Sequence, residues 1–192
     1  MFLKPPISLM IILFLFWSCN FSVKESGELE NYFEILEVDI KSLQKGYANS
    51  EFSIQEITKI YLDRINELDF NGPKLNSIIQ VNPDALKIAM ELDNELSNGK
   101  RRWPLHGIPI VLKDNIDTHY KMNTTAGSLA LKNSKPLQDS YIAKKLREAG
   151  AVILAKSNLS EWANFRGQKS SSGWSAINGQ TKNPYILSRN PC

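Results

Sequence analysis

Lys113 closes the apolar run 108–112 and is followed at once by Asp114 and Asn115. An amine held there, partly shielded from water, loses its proton near neutral pH, because burial disfavours the ammonium; it can then act as a base. The same neighbours allow a plainer role, an ion pair of Lys113 with Asp114 or Asp117 at a strand exit, and structural ion pairs are the commoner case. Thr124, Thr125, Ala126, Gly127 and Ser128 make a hydroxyl-rich turn with one glycine. Such a turn can offer N–H groups and hydroxyls to a substrate carbonyl, with Gly127 and Ser128 as the candidate contacts. It can equally be a turn closed by its own Ser and Thr side chains. Ser170, Ser171, Ser172 and Gly173 invite comparison with a nucleophile elbow, but they depart from G-x-S-x-G and no strand precedes them, so a flexible loop is the better reading. His106 and His119 flank the Lys113 strand without metal-ligand spacing and read as hydrogen-bonding loop residues. Cys19 and Cys192 sit near opposite ends, which indicates neither a metal site nor a disulfide framework. No metal and no cofactor is expected.

The elements that must position these residues follow from hydrophobic pattern and punctuation. Residues 32–46 carry a helical apolar pattern with Gly46 as the stop. Ser53, Ile54, Gln55 and Glu56 fit a capping box opening a helix over 53–68, and Asn71, Gly72 and Pro73 end it. A short strand over 75–81 leads through Pro83 into a helix whose apolar face is Leu86, Ala89, Met90, Leu92 and Leu96, closed by Gly99. The run 108–112 is of strand length, with Pro109 suited to its start. Asp139 is a good N-cap for a helix to Ala149, with Ile142, Ala143 and Leu146 inside and Gly150 as its stop. Residues 151–155 form a second buried strand, and 158–164 start another helix carrying Glu161. Beyond Phe165 the chain is loop-like. Apolar strands alternating with helices predict an α/β layered fold with helices covering the sheet.

With 192 residues the chain suggests one domain or part of one, and 42% hydrophobic content is enough to build a core. A net charge of +3 with scattered basic residues leaves no nucleic-acid footprint; Lys100, Arg101 and Arg102 read as a solvated loop. Lys4 and the apolar residues 7–17 form a targeting segment too short for a comfortable span. Ser18 and Cys19 at its exit resemble a bacterial lipobox, which implies a signal peptide over 1–18 and a diacylated Cys19 holding the protein at the membrane. Ordinary signal-peptide cleavage and an uncleaved anchor are the rivals, and all three place the body outside the cytoplasm. Residues 19–31 read as a tether, leaving 32–192 as the folded part.

Taken together, residues 104–117, the turn 124–128, and the segments 150–167 and 179–192 resemble the amidase signature family, with the resemblance running over about residues 35 to 192. The Ser-Ser-Ser-Gly-Trp-Ser segment and residues 179–184 look most like its peptide amidases. The resemblance implies a layered fold with a mixed central sheet covered by helices, and hydrolysis of a carboxamide C–N bond by a serine nucleophile, a bridging serine on a cis peptide and a lysine base. The lysine falls on Lys113. The bridging serine belongs to a Gly/Ser-rich signature that follows a segment matching Asn190, Pro191 and Cys192, so both serines are expected beyond this chain, and the chain alone is expected to be inactive. Ser171 and Ser172 precede that segment and are not substitutes, but their loop is expected to border the substrate cleft. The implied substrate is a small amide or a C-terminally amidated peptide. A non-catalytic surface lipoprotein that keeps half a cleft is the alternative.

Overall fold

The apolar run near residue 153 becomes the centre of the sheet. Strand β3 (Val152–Ser157) lies between β1 (Ile78–Val81) and β2 (Pro109–Lys113). β1 runs antiparallel to it, with Ile78 opposite Ser157, and β2 parallel, with Pro109 opposite Val152 and Lys113 opposite Ser157. Val152 to Lys156 are all buried, as a central strand covered on both faces requires. Pro109 is the first residue of β2, where its missing N–H costs least. The fold is α/β, as the pattern predicts, and its sheet is mixed, as the resemblance implies.

This computed structural model describes residue 35 and residues 37–119, 121–165 and 167–192. The chain divides into two compact units, Met1–Leu36 and Glu37–Cys192, and the elements with described bounds lie in the second. The signal segment, the tether and Cys19 fall outside the described residues.

Helix α1 (Ile40–Asn49) is capped by the Asp39 side chain and ends at Ser50 in the left-handed region. Gly46 is therefore inside the helix, not its stop; it is needed because the Phe52 ring lies where a Cβ would stand. Helix α2 (Ile54–Ile65) opens on the predicted capping box and passes into a π-helical turn, Asn66–Asn71. There the buried Asp69 carboxylate accepts from Ser77 N (2.7 Å) and Ile78 N (3.0 Å), fixing the entry to β1. Helix α3 (Ala85–Ser97) buries Ala85, Ala89 and Leu92, an i, i+4, i+7 stripe. Leu86 and Met90, expected inside, lie one position round the helix from that stripe and are exposed.

Helix α4 (Tyr141–Glu148) is capped by Ser140, whose Oγ accepts from Ala143 N, one residue after the predicted Asp139. Asp139 instead accepts from His119 N (2.7 Å) and pairs with Arg147 (2.9 Å). Ala143 joins Leu112, Met122 and Ile153 in a core cluster, with Leu146 packed against it, while Ile142 faces out. Gly150 ends the helix region with φ +87°, and a Cβ there would stand 2.8 Å from His106 Cα.

The predicted helix 158–164 does not form. A single 3-10 turn, Glu161–Asn164, holds Trp162 (φ 51°, ψ 30°) and Ala163 (φ 53°, ψ 36°) in the left-handed region. Tertiary bonds override local preference here: Trp162 N donates to Ala126 O (3.0 Å), and Ala176 N to the Glu161 carboxylate (3.0 Å). Strands β4 (Trp174–Ser175) and β5 (Gly179–Gln180) then form a small antiparallel hairpin within the expected loop.

Candidate active site

Lys113 ends β2 directly beside the end of the parallel strand β3. Ligands in α/β folds gather outside such carboxyl ends. The sequence predicts a partly shielded amine, whereas Lys113 is exposed in this structure. Nor does Lys113 pair with its neighbour, because the Asp114 side chain turns inward and is fully buried.

Asp114 joins the strand exit to the Thr/Gly turn. Its N–H donates to Ser157 O (3.1 Å) and its carbonyl accepts from Ala126 N (3.1 Å). Its Oδ2 accepts from Thr125 N (3.1 Å) and from the Thr125 hydroxyl. The Thr125 hydroxyl oxygen in turn accepts from Gly127 N (3.0 Å), and Ser128 N donates to Thr125 O (2.9 Å). Gly127 and Ser128 are buried, and their N–H groups are occupied inside the turn. Gly127 has φ +76°, and a Cβ on it would stand 2.7 Å from Ser175 Cβ, so only glycine fits. Trp162 N and Ile177 N clamp the turn from outside through Ala126 O and Gly127 O.

Two clefts adjoin this arrangement. One of about 340 Å³ is lined by Asn115, Asp117, Thr124, Ala126, Leu159 and Trp162. The other, about 440 Å³, is lined by Glu161, Asn164, Lys169, Ser171 and Trp174. Ser171 thus borders a cleft, and its hydroxyl donates to Gln180 Oε1 (2.8 Å). Ser172 contributes its carbonyl, which accepts from Gln180 Nε2 (2.6 Å). Hydrogen bonds through Asp114 tie the strand exit after Lys113 to the turn of Gly127 and Ser128, and Ser171 lines the same cleft as Glu161. His106 and His119 are hydrogen-bonding loop residues as predicted: His106 Nδ1 accepts from Arg102 N (3.1 Å), His106 Nε2 meets Leu92 O of α3 (3.0 Å), and His119 Nδ1 meets Pro136 O (3.1 Å).

The residue that the sequence pattern did not single out is Lys156. Among the described residues it is the largest side chain that is fully buried. Burial pushes its ammonium below the ordinary lysine range, and the nearby Asp114 carboxylate pulls the other way. The signal was present: a lysine adjoining an apolar run long enough for a central strand, opposite a connection rich in Asp and Thr.

The Amidase family pattern matches residues 56–192. The native peptide amidase from Stenotrophomonas maltophilia is 52% identical with a TM-score of 0.81, over 83% of this chain and 32% of that one. A structure at the same identity and TM-score holds the peptide amidase with the competitive inhibitor chymostatin. An amidase-family protein of Schizosaccharomyces pombe is 47% identical over 79% of this chain and 26% of its own length. The chain therefore spans about a third or less of these relatives. A family match over well more than half the chain, resting on the segments that build this site, makes the chain a member of the Amidase family.

Proposed function

We propose that the protein carrying this chain hydrolyses a carboxamide C–N bond, with Lys113 as the base of a Ser, cis-Ser, Lys triad. The observation that carries this reading is the place of Lys113, at the carboxyl end of a strand whose exit is tied through Asp114 to the Gly127 turn. In the reaction, a serine hydroxyl attacks the amide carbonyl while its proton passes by way of the bridging serine to the lysine amine. The proton then goes to the departing nitrogen, and water releases the acid. Splitting the reaction in this way replaces one difficult step by two easier ones. The turn 124–128 and the Ser171–Ser172 loop lie beside the acyl side of such a site and serve to place the substrate. The preferred substrate is a C-terminally amidated peptide, supported by the 52% identity to a peptide amidase. The 192 residues alone supply one member of the triad, so they are inactive by themselves.

The test is ammonia release from an amidated dipeptide by the full-length protein. Lys113→Ala should lower kcat by about 10²-fold or more, the usual yield of a placed general base. Ammonia release by the variant at the wild-type rate would refute the role of Lys113.

A further inference from the structure

A lysine at the centre of a covered sheet calls for an account. Taking an ammonium and a carboxylate out of water carries a penalty that their attraction often fails to recover, so such a pair is weak evidence for stability. What this ammonium does is geometric. Lys156 Nζ donates to Ile116 O (2.7 Å), Thr124 Oγ1 (3.1 Å), Thr118 Oγ1 (3.3 Å) and Asn123 O (3.3 Å), and stands 3.6 Å from Asp114 Oδ1. Every one of these partners lies in the connection 114–124, which runs from Lys113 to the Gly127 turn. Among the described residues Asp114 Oδ1 has no hydrogen-bond partner and stands beside this charge, while Oδ2 holds Thr125, which holds Gly127.

We propose that Lys156 is a positioning residue, which through Asp114 fixes Lys113 and the turn Gly127–Ser128 in one mutual geometry. The inference rests on the amidase reading for its consequence, and on hydrogen bonding alone for its mechanism. Lys156 is sealed from solvent and does not meet substrate; it acts through the backbone and the carboxylate it holds. Removing its charge frees Asp114 to turn toward water, releasing the Thr125 and Gly127 N–H groups and the exit of β2.

The experiment has two arms. In the full-length protein, with an amidated dipeptide as probe, Lys156→Met should lower kcat about 100-fold, the scale of a 1 Å misplacement. KM should stay within about threefold, since uniform binding is untouched. The double variant Lys156→Met/Asp114→Leu removes both charges and should recover melting temperature while staying equally slow. Recovery of kcat together with stability would show a purely structural pair and overturn the proposal. The second arm needs no catalysis: amide exchange in the full 192-residue chain. Thr125 and Gly127 should exchange about tenfold faster in the variant, while Ile153 and Leu154 keep their rates, a local opening rather than a global one. Uniform acceleration, or none, would overturn the proposal. Should Lys156→Met fail to fold, the double variant serves both arms. Failure of the wild-type full-length protein to release ammonia would instead sink the amidase reading, and the exchange arm would stand apart from it.

Discussion

At the scale of single residues, His106 shows how neighbours choose a protonation state. Arg102 N–H donates to Nδ1, so Nε2 carries the hydrogen that Leu92 O accepts. A second proton would have to enter at Nδ1, against an N–H donor. Burial further pushes the imidazole below its ordinary 6.5. The unfolded chain takes up a proton below about pH 6.5, and the folded chain does not until lower pH. The stabilisation is therefore complete above that value and is lost as the pH falls through the folded pKa. The slope is at most about 1.4 kcal/mol per pH unit. Urea midpoints from pH 7.5 to 5 should fall more steeply for the wild type than for His106→Gln, and parallel curves would contradict this. From sequence, His106 was legible as a hydrogen-bonding loop residue, but its partner was not, because Leu92 belongs to another helix. Lys156 was missed for a related reason: a charged residue ends an apolar run on paper, whereas inside the fold its hydrogen-bond acceptors lie between 32 and 40 residues earlier.

At the scale of elements, helix starts show most clearly what local pattern can and cannot reveal. The capping box at Ser53 was readable because both partners lie within four residues. The same helix end has a second cap that no local pattern discloses: the Asp93 carboxylate of α3 accepts from Ile54 N (2.8 Å) and Gln55 N (3.0 Å). It satisfies two more of the free N–H groups and locks α2 against α3. Because these are bonds to a charged acceptor, Asp93→Ala should cost about 1–3 kcal/mol in denaturant unfolding. A loss smaller than that of Ser53→Ala would show that the inter-helix cap is idle. The helix predicted at 158–164 failed on the same ground in reverse. Its composition permits a right-handed turn, but bonds to residues 126 and 176 hold the backbone in the left-handed region, where a non-glycine residue costs roughly 1–2 kcal/mol.

At the scale of the whole molecule, the fold class was legible because strand and helix periods alternate, and the mixed sheet bears that out. The pairing order was not legible, since it depends on which strand the helices cover. Both outer strands are edges among the described residues, and β2 presents Val111 at 40% exposure, with Tyr141 and Ile142 also outward on α4. Open edges with apolar side chains invite pairing between chains. The 192-residue chain should therefore associate with rising concentration, and Val111→Lys should reduce this; light scattering that ignores both concentration and substitution would refute it. The order β1-β3-β2 carries a further consequence, in time. Among the described residues neither β1 nor β2 has a strand partner other than residues 152–157, so during synthesis these two earlier strands emerge and wait. Pairing of these three strands therefore waits for β3, and until it emerges the chain depends on its helices and on whatever shelters the waiting strands.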